Sequence, residues 1–314
     1  MSIFNFYREL SILTAEKQPG IIDALTEEAP ILGMIPMQAA SSGFQNVYEN
    51  LVSVQGAETV DLDDELPEVD LTTELKQQDL GVIGGKMYVG DDKARKFGGA
   101  SAYFNSKLPS ILRETGANTE KSMIYNSIRK FAIDNGNVTD IGGSSNKNFS
   151  AICVKWVPGE TIGLFDETGP GNGKAMEVID IGGKDTTFEK EFTLADGTKK
   201  SILVKGVAFK TYFGLQLAND RNVSAMVNVD IDSATEKFPT EAEFSNFILN
   251  ARANPANTYI YMHPRFLNAL KRYKSSHMDV LTVSTTDMDF RFNTWDGIPI
   301  ITSYNFLNGT ETNV

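Results

Sequence analysis

The chain has 314 residues, with 41 Asp and Glu against 29 Lys and Arg, a formal net charge of -12 and one cysteine. That length is enough for one large domain or two with a real core, and 41% hydrophobic and 22% charged residues exclude a disordered chain. The acidic balance argues against a dedicated duplex-DNA binder, which needs basic surface to displace counterions, and Cys153 alone excludes an intrachain disulfide or a multi-cysteine metal site.

In chain order, the first thirty residues predict an arm with little core of its own. Pro19 suits the start of a short helix through Ile22 and Leu25, which Glu27-Glu28-Ala29-Pro30 ends. Ile31 to Met37 reads as a short apolar strand. An extended run from Phe44 to Val54 enters an acidic stretch, and a second, Leu80 to Val89, leaves it through Gly81, Gly84 and Gly85. The two predict a long projecting hairpin, because so charged a connection cannot cover a core. Between Glu58 and Glu74 stand eight acids (Glu58, Asp61, Asp63, Asp64, Glu65, Glu68, Asp70, Glu74) and no Lys or Arg, which leaves 33 acids against 29 bases elsewhere. Two thirds of the net charge therefore sits in one short stretch.

Phe104, Leu108, Ile111 and Leu112 share one helical face, with Pro109 expected to kink or restart that helix. A second helix is expected from Thr119 to Asn135, capped by Asn118 or Thr119, striped by Ile124, Ile128 and Phe131, and stopped by Gly136. Strands follow. Ile152, Val154 and Trp156 alternate, and Ala195-Asp196-Gly197-Thr198 marks a hairpin turn. Val223, Ala225, Val227, Val229 and Ile231 predict a half-buried strand. Thr240 and Glu243 form a capping box ahead of Phe244, Phe247, Ile248 and Ala251. Tyr259 to Met262 reads as a strand, Pro264 opens a helix with Phe266, Leu267 and Leu270, and strands at 279–283, 288–292 and 298–302 close the chain. The class is α+β.

Chemical motifs are few. Gly169-Pro-Gly-Asn-Gly-Lys174 looks like a phosphate loop, but Thr168 stands where the first glycine belongs and Ala175 where a hydroxyl would meet magnesium. Gly84-Gly85-Lys86 and Gly182-Gly183-Lys184 fail similarly and read as turns flanking strands. Asp61, Asp63 and Asp64 are hard oxygen ligands without calcium-loop spacing, so a solvated or partner-facing charge run is the better reading. Of two histidines, His263 precedes Pro264 at a strand-to-helix junction, where capping or packing is expected, and His277 has no motif around it. Cys153 falls in a strand pattern, as a small buried hydrophobe. His-Glu-x-x-His and Gly-x-Ser-x-Gly are both missing. No catalytic residue, cofactor or metal site is assigned. No apolar run reaches the roughly 18 residues of a membrane span. The opening Met1-Ser-Ile-Phe-Asn-Phe lacks a signal-peptide pattern, so a soluble, intracellularly made protein is expected.

The order of parts resembles the major capsid proteins of tailed bacteriophages, the Johnson (Hong Kong 97-type) fold. The succession is Trp156, Glu160-Thr-Ile-Gly-Leu-Phe165, the turn Gly169–Lys174, Asp180-Ile-Gly182, Tyr212-Phe-Gly-Leu-Gln-Leu-Ala-Asn-Asp220-Arg221 and Ala225-Met-Val-Asn-Val-Asp230. With Tyr261-Met-His-Pro-Arg-Phe-Leu267 and Asp296-Gly-Ile-Pro-Ile300, it is similar to the epsilon-fifteen-like podovirus capsid proteins over about residues 20 to 305. Those proteins' Arg-Ile-Ala-Asn run is Ala225-Met226-Val227-Asn228 here, so no arginine role carries over.

The resemblance implies an N-terminal arm (1–43), an extended loop (44–86), a peripheral domain with a spine helix (87–150), a first axial part (151–204), long peripheral strands (205–232) and a second axial part (233–314). It implies a virion shell protein, not an enzyme, that self-assembles as hexamers and pentamers around double-stranded DNA without reading its sequence. Assembly is expected in the bacterial host cytoplasm, with a separate scaffolding protein, a portal protein and room for a decoration protein. No lysine–asparagine crosslinking pair is assigned. The acidic stretch is expected to dock on the adjacent subunit, with Lys93, Arg95 and Lys96 as the candidate basic partners. Two alternatives stay open: an encapsulin-like nanocompartment shell, and a carbohydrate-active enzyme using the acidic hairpin.

Overall fold

A computed structural model describes residues 28–42, 44–57, 59–61, 65–166, 177–182, 186–193, 197–231, 237–273, 282–285, 288–291 and 293–314. The short helix expected after Pro19, Glu58, Asp63, Asp64, the Gly169–Lys174 turn and His277 lie outside the described residues.

From the N-terminus, Ile31 to Ile35 form a buried turn, where a strand was expected, and only Met37–Ala39 (β1) is extended. Gln45–Gln55 (β2) pairs antiparallel with Asp70–Asp79 (β3), not with the Leu80–Val89 run as expected. That run is Gly81–Gly90 (β4), in another sheet. The difference has a physical cause: β3 is polar and exposed along most of its length, so it carries no apolar alternation to announce it. Gly84 and Gly85 lie inside β4, not in a turn. A Cβ on Gly84 would meet the Phe209 carbonyl at 2.4 Å, and one on Gly85 the Phe209 ring at 2.9 Å.

Asp91–Lys96 (α1) leads into Ala100–Ser122 (α2), the π-helical segment Met123–Arg129 and Lys130–Asp134 (α3). These last three form one helical run of about 50 Å at 1.5 Å per residue, in place of the two helices expected. Pro109 is carried within α2, and the Thr119 hydroxyl, expected as a cap, donates to the Thr115 carbonyl at 2.8 Å. Gly136, with φ of 73°, does end the run. Phe104, Leu108, Leu112, Gly116, Glu120, Ile124, Ile128 and Ala132 are all buried at four-residue spacing. Such a row drifts about 40° per step around a 3.6-residue helix. The run therefore turns its buried side from one sheet to the next, and the wider π turn takes up part of the drift.

Val138–Asp140 (β5), Asn148–Lys155 (β6), Thr161–Phe165 (β7), Glu177–Ile181 (β8) and Phe188–Thr193 (β9) precede the long strand Lys199–Leu217 (β10) and Val223–Asp230 (β11). Glu241–Asn250 (α4), Thr258–Met262 (β12), Pro264–Tyr273 (α5), Thr282–Thr285 (β13), Met288–Arg291 (β14), Asn293–Trp295 (β15) and Ile298–Thr302 (β16) complete the chain. The capping box forms: Glu243 N–H donates to the Thr240 hydroxyl at 3.3 Å, and Thr240 N–H to the Glu243 carboxylate at 2.7 Å.

Two six-stranded sheets organise these elements. In the first, β10 takes β4 on one edge and β9, β8 and β7 in succession on the other, with β1 parallel to β7. The second runs β15-β16-β12-β6-β11-β5. Residues 205–232 are thus divided between the sheets, β10 in one and β11 in the other. The first sheet packs Met87, Val89, Val207 and Phe209 against Ala94 of α1 and Phe104, Leu108 and Leu112 of α2.

The second sheet is covered on both faces. Phe244, Phe247 and Phe266 of α4 and α5 lie on one side, and Ile124, Ile128 and Ala132 of the helical run with Ile31 and Ile35 on the other. That is why β11 is buried at every position and not alternately. Its register against β6 shifts between Met226 and Val229, where Asn228 takes φ of 56°. The bulge reverses side-chain parity, so Val223, Ala225 and Val227 face one core while Val229 and Ile231 face the other.

Candidate assembly interface

The hairpin β2–β3 is a two-stranded sheet of its own. Eleven residues of β2 span about 35 Å at 3.3 Å per residue. Of the eight acids, Asp61, Glu65, Glu68, Asp70 and Glu74 are described and exposed, and between them Leu66, Val69, Leu71 and Leu75 are 76%, 64%, 61% and 71% exposed. Acids and aliphatic side chains alternate along a ribbon on which none of the described residues forms a covering layer. A lone two-stranded hairpin is marginal in water, so such a ribbon is held by its base or by a neighbour.

The base is strongly held. Asn46 is buried, donating to the Gln216 side-chain carbonyl at 2.5 Å and accepting from Ser41 N–H at 3.0 Å. Gln216 in turn donates to the Gly159 carbonyl at 2.5 Å. Phe44 meets Tyr212 edge-on at 4.7 Å between ring centres, and Leu80 N–H donates to the Phe44 carbonyl at 2.8 Å. Glu160 accepts from the side-chain amides of Asn219 at 2.9 Å and Asn222 at 2.8 Å. The separated runs 160–165 and 212–222 are thereby tied into one polar seam beneath the hairpin. Trp156, just past the end of β6, donates its indole N–H to the buried Tyr261 hydroxyl of β12 at 2.9 Å.

The expected basic partners Lys93, Arg95 and Lys96 are exposed on α1. Arg95 already pairs with Asp91 at 2.7 Å, and Lys93 lies 5.4 Å from the Tyr103 ring centre. Glu74 pairs with Lys76 on its own strand at 3.8 Å. Cys153 is buried, with its thiol pushed up to about 12 by burial, chemically quiet. His263 accepts from Arg265 N–H at 3.0 Å and so caps α5, and burial lowers its pKa. Among the described residues, no group of three or more His, Cys, Asp or Glu is placed to hold a metal ion, and no helix is long and apolar enough to cross a membrane.

Two buried acids escape sequence reasoning. Glu120 accepts from the backbone N–H of Ile31 at 2.8 Å and Leu32 at 3.2 Å, from the Asn305 side-chain amide at 3.0 Å and from the Ser303 hydroxyl. It clasps the N-terminal segment and the 303–306 loop to the helical run. Glu311 accepts from Tyr125 at 2.6 Å and Ser150 at 2.9 Å, with Arg129 at 3.4 Å. Burial raises both carboxyls, against the opposing pull of these donors. The signal for Glu120 was its place on the buried four-residue row of the helix. Glu311 has no local signal.

The family model for Major capsid protein GP7 matches residues 97–314. The chain belongs to that family. It is a tailed-phage major capsid protein with the Hong Kong 97-type α+β fold. The bacteriophage epsilon15 structure matches with a TM-score of 0.55 at 15% identity, over 89% of this chain and 87% of that one. The bacteriophage JBD30 capsid matches with a TM-score of 0.51 at 10% identity, over 97% and 99%. The SrpI encapsulin of Synechococcus elongatus PCC 7942 matches at 0.44 and 9% identity, over 68% and 90%. No curated protein matches the chain in sequence. Membership of a capsid family places the chain in a virion shell and makes its role structural.

Proposed function

We propose that this capsid protein tiles a closed icosahedral shell as hexamers and pentamers around double-stranded DNA, without catalysis and without reading sequence. Identical chains in quasi-equivalent places need contacts that absorb small differences, and a ribbon anchored at its base does this. The observation that carries the reading is the hairpin β2–β3, whose acids and aliphatic side chains face solvent while its base is locked to the body. Residues 44–86 act as the extended loop, 87–150 as the peripheral domain with its spine helix, and 151–204 with 233–314 as the axial domain. The hairpin's acids, Glu58 to Glu74, dock on basic surface of the adjacent subunit; of the partners expected from the sequence, Lys93, Arg95 and Lys96, Arg95 is already engaged by Asp91. Charge complementarity there fixes register and excludes wrong partners more than it adds affinity.

Assembly takes place in the host cytoplasm with a separate scaffolding protein and a portal, and the finished shell leaves room for a decoration protein. A glycosidase would need two acids flanking a sugar within a site, whereas the described hairpin acids are spread along an open ribbon. Replacing Asp63 and Asp64 with lysine tests the docking: folded subunits that no longer close shells are expected. Wild-type-like shells from that variant contradict it.

A further inference from the structure

The first sheet is packed against helices on one face. Its other face is covered at the β7 end, where Ile162 and Leu164 meet Leu80, and lies open among the described residues only across β4, β8, β9 and the facing part of β10. Directly opposed residues in antiparallel strands share a face, so register assigns each side chain. Met87, Val207 and Phe209 lie on the helix side. Their neighbours in sequence point the other way, and α1 and α2 leave that side uncovered.

The open side collects positive charge. Lys86 stands opposite Ala208, Lys190 opposite Ile202 and Lys200 opposite Phe192, while Lys210 stands opposite Gly84. All four are on the face turned from the helices, where the strand partners present one acid, Glu177, opposite Lys210. The acids of β9 fall on the other face, where Glu189 accepts from Ser201 and Glu191 pairs with Lys199 at 2.8 Å. The lysines are set among rings and aliphatic side chains. The Lys190 ammonium lies 3.0 Å from the Tyr88 ring centre and 5.2 Å from that of Phe192. A Cβ on Gly206 would meet Tyr88 at 2.9 Å and Ile181 at 3.2 Å, so this glycine lets the ring lie flat across the strand. Ile179 and Ile202 remain 38% and 37% exposed.

This surface and the hairpin match in composition and oppose in sign: lysines among apolar groups on one, carboxylates among leucines and valines on the other. Helix α1 matches less well, since Arg95 is already held by Asp91. We propose that the lysine-bearing open face of the β4–β8–β9–β10 sheet receives the acidic hairpin of a second copy of the chain. The inference rests on the hairpin being a subunit contact and names its receiver.

The test is charge exchange in the full-length chain, read by electron microscopy and sedimentation of assembled particles. Lys86→Glu with Lys190→Glu and Lys200→Glu is expected to leave a folded subunit and cut shell yield by ~10-fold or more, since like charges placed face to face are strongly disfavoured. Adding Glu65→Lys, Glu68→Lys and Asp70→Lys to that chain restores shells. Lys93→Glu with Lys96→Glu assembles like wild type. Should Lys190→Glu disturb folding through Tyr88, the pair Lys86→Glu and Lys200→Glu carries the same test. Wild-type yield from the sheet-face variant, failure of the reversed hairpin to rescue it, or rescue of an α1 variant instead would each overturn the proposal. Wild-type yield from the reversed hairpin alone overturns the underlying reading of the hairpin itself.

Discussion

The second sheet and the hairpin are both β-structure from one chain, yet they obey opposite rules. In the sheet, β6 and β11 are buried on both faces, and polar groups such as Ser150 and Ser224 are paired within the chain. In the hairpin, β3 is exposed at nearly every position and its leucines face water. A body that must fold alone buries its apolar surface alone. A ribbon made for assembly leaves that surface to a neighbour. The comparison also separates two kinds of acid: the ribbon carries a run of exposed ones, while Glu120 and Glu311 are enclosed as structural acceptors.

The largest effect that separates the two regions is expected in the body. Phe247→Ala removes a fully buried ring packed on Phe244 and should cost about 3–5 kcal/mol, read as a fall in the denaturation midpoint. Leu71→Ala with Leu75→Ala on the hairpin should leave that midpoint unchanged and lower shell yield. A midpoint shift as large as that of Phe247→Ala would mean that the hairpin belongs to the folding core.

Next in size is Glu120→Ala. It strands the buried amides of Ile31 and Leu32 at about 1–3 kcal/mol for each donor left unsatisfied. Hydrogen exchange should rise in 28–36 and 303–307 before it rises in β6. Unchanged protection of both segments would refute the clasp.

A smaller, pH-dependent effect follows from the same residue. Burial raises the Glu120 carboxyl above its ordinary 4.5, so its contribution to stability is full below that value and is lost as pH rises through the higher folded value. Glu311 is shifted in the same direction. Replacing Glu120 with Gln removes its share of this slope, so the variant should gain on the wild type as pH climbs from 4 towards neutrality. Denaturant midpoints across pH check this, and parallel curves would contradict it.

Local chemistry made much of the fold legible. The Thr240 capping box, the cap supplied by His263, the stop at Gly136 and the stripe of Ile124 and Ile128 each depend on neighbours a few residues away. What stayed hidden depends on distant partners. β3 shows no apolar alternation, because both of its faces are exposed in the subunit. The buried turn at Ile31 looked like a strand, because the Glu120 carboxylate that satisfies its amides lies 89 residues away. The parity change at Asn228 needs a left-handed backbone, which an alternating pattern conceals. The acidic ribbon itself was plain as a run of charge, but no spacing could show which surface stood opposite the carboxylates.

The central claim is that hairpin charge governs assembly and not folding. The most direct measurement is electron microscopy of particles formed by the chain carrying Glu65→Lys, Glu68→Lys and Asp70→Lys, beside a thermal melt of the same preparation. The account predicts an unchanged melt with few or no closed shells. Closed shells at wild-type yield, or a melt that collapses with the charge change, would contradict it.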